Sequence, residues 1–292
     1  MITIFCTPKN FEGIFDVIQT NAIYSWRALG EDIEILIIGD SKGAEEIARN
    51  VNAVYFPNVK KSSKGVPFIS DLFRIANKIS KNNILIFINA DILLPNNFLK
   101  TIIAIKENNK RFLMIGHRWD LDVKNIINFN VAQKDKTYWP SMVKEAKKHA
   151  SSGIDYFVFK KNTFKKLPHF AIGRFGYDNW LIWYSRRRFI PVIDISNQVK
   201  VIHQNHHYNF IYDNLNPKEN HEEDITKNKI LTEGNGLTIN DANYEIKNYK
   251  IVKKKSDEFK NRDLGTLEKI YPELYYLFNW YKRIKRRFLK KK

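Results

Sequence analysis

The sequence predicts an α/β protein with a central, mostly parallel sheet flanked by helices, and three observations carry that prediction. The first half alternates short apolar runs with longer segments of helical period, the signature of strands joined by crossover helices. Ile84-Leu-Ile-Phe-Ile88 is an unbroken apolar run, the pattern of a strand buried on both faces. The composition is 43% hydrophobic and 27% charged, with 12 Gly and 9 Pro spread along 292 residues, so the chain is globular and long enough to bury a sizeable core.

Each element follows from local pattern. Ile2 to Cys6 is a first strand. Phe11 to Leu29 is a helix, because Phe15, Ile18, Ala22 and Trp26 fall on one face. Ile33 to Ile38 is a second strand ending at Gly39-Asp40, Ala44 to Asn50 a short helix, and Ala53 to Phe56 a third strand. Lys60 to Gly65 is a polar, basic loop, and Pro67 to Ile79 a helix with proline well placed in its first turn. After the Ile84 to Ile88 strand, Pro95-Asn96 opens a helix to about Ile105, followed by a strand at Phe112 to Ile115. The second half is less regular: a strand at Ile154 to Lys160, a helix at Asp178 to Arg188, and strands at Pro191 to Ile195 and Val199 to His203. Asn214 to Asn228 is polar and reads as loop, and no internal repeat is visible.

Charge and cysteine usage narrow the partners. The 49 Lys and Arg against 31 Asp and Glu give +18, so acidic ligands are expected: phosphates, nucleic acid or anionic lipid. The lone Cys6 excludes an internal disulfide and a multi-cysteine zinc site, and points to a reducing compartment. The amino terminus runs straight into a strand without a leader pattern, and no apolar window is long enough to span a bilayer; both features read as cytoplasmic.

Three segments hold the candidate chemistry. In Asn89-Ala90-Asp91 a carboxylate sits just past the end of the buried strand, the edge of an open α/β sheet where ligands bind. In an extended chain Asn89 and Asp91 leave on the same side, which suits an oxygen-ligand site for Mg²⁺ or Mn²⁺; the same tripeptide also suits a turn that caps the next segment. In Gly173-Arg174-Phe175-Gly176-Tyr177-Asp178-Asn179-Trp180, two glycines give a tight turn and Asp178 falls at a helix start among aromatics. It is either a general base on a sugar hydroxyl or a helix cap. In His203-Gln204-Asn205-His206-His207, His203 is the candidate for a further metal ligand or a phosphate contact, and the spacing fits no zinc signature.

Together with Gly65-Val66-Pro67 before a helix and Gly153-Ile154-Asp155-Tyr156, these segments resemble, in the same order, the GT-A type glycosyltransferases that use nucleotide-diphospho-sugars. Within that class they are similar to a family-two-like branch of the bacterial surface-polysaccharide type, over roughly residues 1 to 245. The resemblance implies a GT-A-like, Rossmann-type catalytic domain. It places the nucleotide at Thr7, Pro8, Asp40, Gly65, Pro67, Asp71, Arg74 and Asn89, and a Mn²⁺ or Mg²⁺ ion at Asp91 and His203. It implies Asp178 as the catalytic base with Asp155 as a second acidic candidate, and Arg174, Tyr177, Asn179, Trp180 and His206 on the acceptor side. The implied reaction is transfer from a nucleotide sugar to a saccharide or lipid-linked acceptor in cell-surface polysaccharide (LPS or capsule) synthesis, metal-dependent and inverting. Asn89 departs from the commoner Asp, which removes one negative charge from the metal site.

The expected domain division is 1–250 for the catalytic unit, with 1–110 its nucleotide half and 111–250 its acceptor half, followed by a basic helical tail over 251–292. In that tail Leu274, Leu277, Phe278, Tyr281, Ile284 and Phe288 recur at helical spacing while Lys and Arg crowd the rest. That is the profile of a helix lying on an anionic membrane surface, here the inner face of the plasma membrane, or equally of a segment whose Leu274 to Tyr281 packs on the catalytic domain and whose last residues are a solvated basic end. Two rival classes are a nucleic-acid-binding basic protein and a sugar-phosphate nucleotidyltransferase. No nucleic-acid signature appears, so no nucleic-acid partner is expected, and Thr7-Pro8-Lys9-Asn10 is not the Gly-rich loop a nucleotidyltransferase carries after its first strand.

Overall fold

A computed structural model describes residues 2–103, 111–132, 134–206, 217–277, 279–280 and 283. The strands are β1 (Ile2–Cys6), β2 (Glu34–Ile38), β3 (Val54–Phe56), β4 (Ile84–Ile88), β5 (Ile92–Leu93), β6 (Leu113–Ile115), β7 (Arg118–Leu121), β8 (Lys147–Lys148), β9 (Tyr156–Lys160), β10 (Val192–Asp194), β11 (Val201–Gln204), β12 (Tyr244–Lys247) and β13 (Lys250–Lys253). The helices are α1 (Ile14–Arg27), α2 (Ala44–Asn50), α3 (Ile69–Ile79), α4 (Asn97–Ile103), α5 (Phe129–Ala132), α6 (Tyr138–Glu145), α7 (Tyr177–Arg187), α8 (Pro217–Thr232) and α9 (Asp257–Ile270).

Among the described residues the main sheet runs β13-β12-β10-β6-β9-β4-β1-β2-β3, and a smaller one runs β5-β11-β7-β8. The apolar run of β4 is buried throughout because its alternate side chains feed two separate cores. Ile84, Ile86 and Ile88 join α1 and α2 on one face, while Leu85 and Phe87 join α3 and α7 on the other. On the second face Phe73 of α3 stacks on Phe159 of β9 at 5.0 Å and meets Phe5 of β1 edge-on at 5.3 Å. On the first, the fully buried Trp26 donates its indole N–H to the Ile92 carbonyl at 2.8 Å, which ties α1 to the strand that follows Asp91.

Several expectations are corrected. The sheet is mostly parallel, as expected, but the strand at 156–160 is antiparallel to both β4 and β6, between which it lies, and β13 is antiparallel at one edge. Pro67 stands outside its helix: it bridges to Lys61, and the extended Phe68 bridges to Ala171, so α3 starts only at Ile69. The polar stretch expected as loop over 214–228 is helical from Pro217, within α8. Arg118 to Leu121, in a region without a recognisable pattern, is a strand because it pairs in parallel with β11.

The expected boundary at residue 250 falls inside the β12–β13 hairpin, which extends the main sheet. Beyond it α9 is docked rather than free. Ser256 caps it by accepting from Phe259 N, Asp263 Oδ1 lies 2.5 Å from Arg186 Nη2, and Ile270 is buried in the core. The exposed tail therefore begins after Tyr271. Its expected apolar positions Phe278, Tyr281, Ile284 and Phe288 lie outside the described residues.

Candidate functional site

A cavity of about 430 Å³ opens at the C-terminal ends of β1, β2 and β4. Each strand end supplies part of its wall: Thr7 and Pro8 after β1, Asp40 after β2, and Asn89 and Asp91 after β4. Gly65 and Pro67 close one side and Arg174 reaches in from the loop before α7. Gly39, held at φ 117°, leaves room for the Thr7 hydroxyl, since a Cβ there would stand 2.9 Å from Thr7 Oγ1. Asp40 is paired with Lys61, which also lines the wall.

Asp91 is held where three elements meet. Antiparallel pairing of β5 with β11 sets Ile92 opposite His203, and the Gln204 backbone and side-chain N–H groups both donate to the Asp91 carbonyl at 3.1 Å. Asp91 Oδ2 then lies 3.2 Å from His206 Nε2 and 3.7 Å from His203 Nε2. The three offer donor atoms that all lie within 4.8 Å of one another. Burial alone would raise the Asp91 pKa; the hydrogen bond with His206 and the charges of His203, His206 and Arg118 outweigh it and hold the carboxyl below its ordinary value.

One carboxylate and two imidazoles are a fitting donor set for a divalent first-row ion, and Asp91 Oδ1 is buried without a hydrogen-bond partner, as a ligand oxygen waiting for a cation would be. His206 thus stands beside Asp91 rather than apart on the acceptor side, and His207 lies outside the described residues.

The other candidates separate into distinct roles. Asn89 lines the cavity, but its amide is spent on Asp155: Asn89 Nδ2 donates to Asp155 Oδ1 at 2.7 Å, and Asn89 N to the Asp155 carbonyl at 2.9 Å. Asp155 Oδ2 is in turn 2.7 Å from Arg118 Nη1, so this buried carboxylate is fully engaged. Asp178 is not so engaged. It stands half-buried in the first turn of α7, accepting from Asn179 N at 2.9 Å, and burial, aided by the negative charge of Asp155, pushes its pKa up to about 6.

Tyr177 and Trp180 turn into the core, where Trp180 stacks on Tyr184 at 4.9 Å, and Asn179 donates to the Leu237 carbonyl at 2.8 Å. These three are structural. Asp71 and Arg74 pair with each other at 2.6 Å and are not among the lining residues; Asp71 shapes the loop below the cavity by accepting from Lys60 N at 2.8 Å.

The structure adds residues that pattern reading missed. Lys9 lines the cavity over the Phe15 ring at 4.4 Å, its pKa lowered to about 8 by burial, with Asp91 opposing and Arg174 reinforcing that shift. Arg118, Asp120 and His149 form a polar cluster behind His203. The one available signal was that Arg118 and Asp120 are two apart, and so share a face in any strand.

Asn228 on α8 fixes the loop that carries Arg174. Fully buried, it accepts from Ala171 N at 2.9 Å and donates to the carbonyls of Ala171 and Phe175 at 3.0 and 3.3 Å. Asn228→Ala leaves those backbone groups unpartnered, so a loss of about 2–4 kcal/mol is expected in urea unfolding. A loss below about 0.5 kcal/mol would show that the loop does not depend on this clasp.

No family model matches the chain, and no curated protein matches it. Among solved structures it is similar to residues 1–349 of S. aureus TarS, with 10% identity over 82% of this chain and 67% of that one, at a TM-score of 0.47. Against a longer S. aureus TarS structure the identity is 11%, with 82% of this chain but only 40% of that chain covered, at a TM-score of 0.48. It is also similar to glucosyl-3-phosphoglycerate synthase from Mycobacterium tuberculosis in complex with Mn²⁺, UDP and glucosyl-3-phosphoglycerate. There the identity is 14% over 87% of each chain, at a TM-score of 0.47.

Proposed function

We propose that the chain is a GT-A-like glycosyltransferase that moves a sugar from a nucleoside-diphosphate sugar to a saccharide or lipid-linked acceptor in cell-surface polysaccharide assembly, with inversion. The observation that carries this reading is the continuity of the strand-end cavity with Asp91, and of Asp91 with His203 and His206. A nucleotide-sized space thereby ends at a divalent-ion donor set.

Asp91, His203 and His206 would hold Mn²⁺ or Mg²⁺, with two imidazoles favouring Mn²⁺. When bound, the ion supplies positive charge that neutralises the departing diphosphate. The chain's own cations serve the same end: Lys9 and Arg174 line the same cavity as Asp91. Asp178, with a pKa near 6, is ionised at neutral pH and basic enough to take the acceptor hydroxyl proton. In that step the acceptor oxygen bonds to the anomeric carbon as its proton passes to Asp178. The bond from that carbon to the phosphate oxygen breaks, and the diphosphate leaves with the electron pair.

The test is a thermal-shift panel of nucleoside diphosphates and nucleotide sugars, UDP and UDP-GlcNAc among them, with and without Mn²⁺. A Mn²⁺-dependent rise for one nucleotide class is expected, about 2.7 kcal/mol of stabilisation at one hundred times the dissociation constant. No rise with any nucleotide on folded protein overturns the reading.

The reading includes a peripheral address at the inner face of the plasma membrane. Beyond Tyr271 the side chains of Tyr276 and Trp280 are 85% and 64% exposed, and Phe189, 82% exposed, stacks on Tyr271 at 5.4 Å beside Arg187. The sequence from Tyr281 onward is mostly Lys and Arg, each contributing about 1 kcal/mol near an anionic surface. The chain is expected to sediment with phosphatidylcholine–phosphatidylglycerol vesicles at low salt, and not with phosphatidylcholine alone. Tyr276→Ser with Trp280→Ser is expected to weaken binding about tenfold. Equal sedimentation with both vesicle types counts against the address.

A further inference from the structure

We propose that Asp120 is a positioning residue for the divalent-ion site: its carboxylate accepts a hydrogen bond from Nδ1–H of His203 and so leaves the Nε2 lone pair of that ring directed at Asp91. The proposal rests on the reading of Asp91, His203 and His206 as ion ligands.

Sheet register places the pair. In the parallel β7–β11 ladder Asp120 is the partner of His203, so their side chains leave the sheet on the same side. Asp120 Oδ1 stands 3.1 Å from His203 Nδ1, while Nε2 at the far side of the ring stands 3.7 Å from Asp91 Oδ2. His203 is buried. Its Nδ1 and Asp120 Oδ1 are two buried polar atoms that satisfy no aligned hydrogen bond as they stand, although each is within reach of the other. A small turn of the ring would align them. An imidazole that donates from Nδ1 to a carboxylate has its lone pair on Nε2, the form that ligates metal.

Asp120 is itself held from two other directions, which is what a positioning group requires. Its Oδ2 lies 2.6 Å from His149 Nδ1 and its Oδ1 lies 3.0 Å from Arg118 Nε. The same guanidinium pairs with Asp155 at 2.7 Å, and Asp155 holds Asn89 two residues before Asp91. Both sides of the ion site, the β4 end and His203, are therefore referenced to one half-buried arginine.

The test reads the tautomer directly. In the full chain labelled with ¹⁵N-histidine and free of metal, long-range proton–nitrogen correlations are expected to show His203 protonated at Nδ1 in the wild type. In Asp120→Asn the amide can turn its N–H₂ toward the ring. His203 should then shift to the Nε2–H form, and Mn²⁺ affinity, read from free-ion EPR in the presence of UDP, should fall about 10–100-fold. Asp120→Glu keeps the acceptor and is expected to recover part of that affinity.

His203 protonated at Nε2 in the wild type overturns the proposal without need of any variant. So does an Asp120→Asn protein with unchanged tautomer and unchanged Mn²⁺ affinity. If the wild type binds no Mn²⁺ with or without UDP, the ligand reading itself fails and Asp120 reverts to a partner of Arg118 and His149.

Discussion

Asp91→Ala is expected to abolish the Mn²⁺-dependent nucleotide shift and to slow sugar transfer by about 10³-fold or more, with the fold intact. The size of the effect follows from what remains. His203 and His206 alone are two imidazoles, and among the described residues no other carboxylate joins them in a donor group of three. The diphosphate would leave with only the lining cations Lys9, Arg174 and the Asp40-paired Lys61 to offset its charge among the described residues. The fold should survive because the Asp91 backbone, not its side chain, is what Gln204 holds. Turnover with the nucleotide sugar identified by thermal shift, with and without added Mn²⁺, is the measurement. A variant within tenfold of wild type would remove Asp91 from the reaction.

Asp178→Asn is expected to lower transfer by about 10²–10⁴-fold while leaving nucleotide affinity unchanged. Asp178 is not among the residues lining the nucleotide cavity, so its loss touches proton transfer and not donor binding. The wild-type rate should rise with pH through about 6 and level off above it, because the base must be ionised.

Stability should move the other way. The folded-state pKa of about 6 lies above the ordinary 3.8, so between those values the folded chain holds a proton that the unfolded chain has released. The burial penalty is therefore absent below pH 4, grows as pH rises and is complete above 6. The asparagine variant, which carries no charge to bury, is expected to melt about 2–4 °C above wild type at pH 7.5, with the gap closing toward pH 4. A flat pH–rate profile, or a variant that loses both activity and stability at pH 7.5, would assign Asp178 to capping α7 instead.

The strand-end logic of the site was legible because it rests on short-range pattern. β4 declares itself as an apolar run, and Asp91, three residues past its end, must lie at the open edge of the sheet. The His203 to His206 segment was legible for the same reason. What pattern could not supply was pairing between distant segments. Asn89 looked like a weakened metal ligand, and only the antiparallel entry of β9 shows why it is an amide: an aspartate there would face the Asp155 carboxylate across 2.7 Å. Tyr177 and Trp180 were implied as acceptor-side residues by the family resemblance, but an aromatic beside a site in sequence points into the core whenever its helix turns that face inward. Asp120 was unreadable as a positioning group because its partner His203 lies on another strand, and their meeting is set by register alone. The α8 segment hid its helix in a polar composition that carries almost no amphipathic signal, with Asn228 its principal anchor.

The reversed strand at the middle of the sheet also governs how the molecule is made. β4 has β1 on one side and β9 on the other, and the second neighbour joins Ile86 to Val158. While the chain emerges from a ribosome, the first four strands of the main sheet are complete well before Tyr156 exists, and an apolar edge of β4 stands open with nothing to cover it. Such an edge is a template for pairing with other nascent chains. A fragment that ends at β4 would carry that edge uncovered. Synthesis passes through a vulnerable interval that ends only when the residues around Asp155 arrive to close both the sheet and the site.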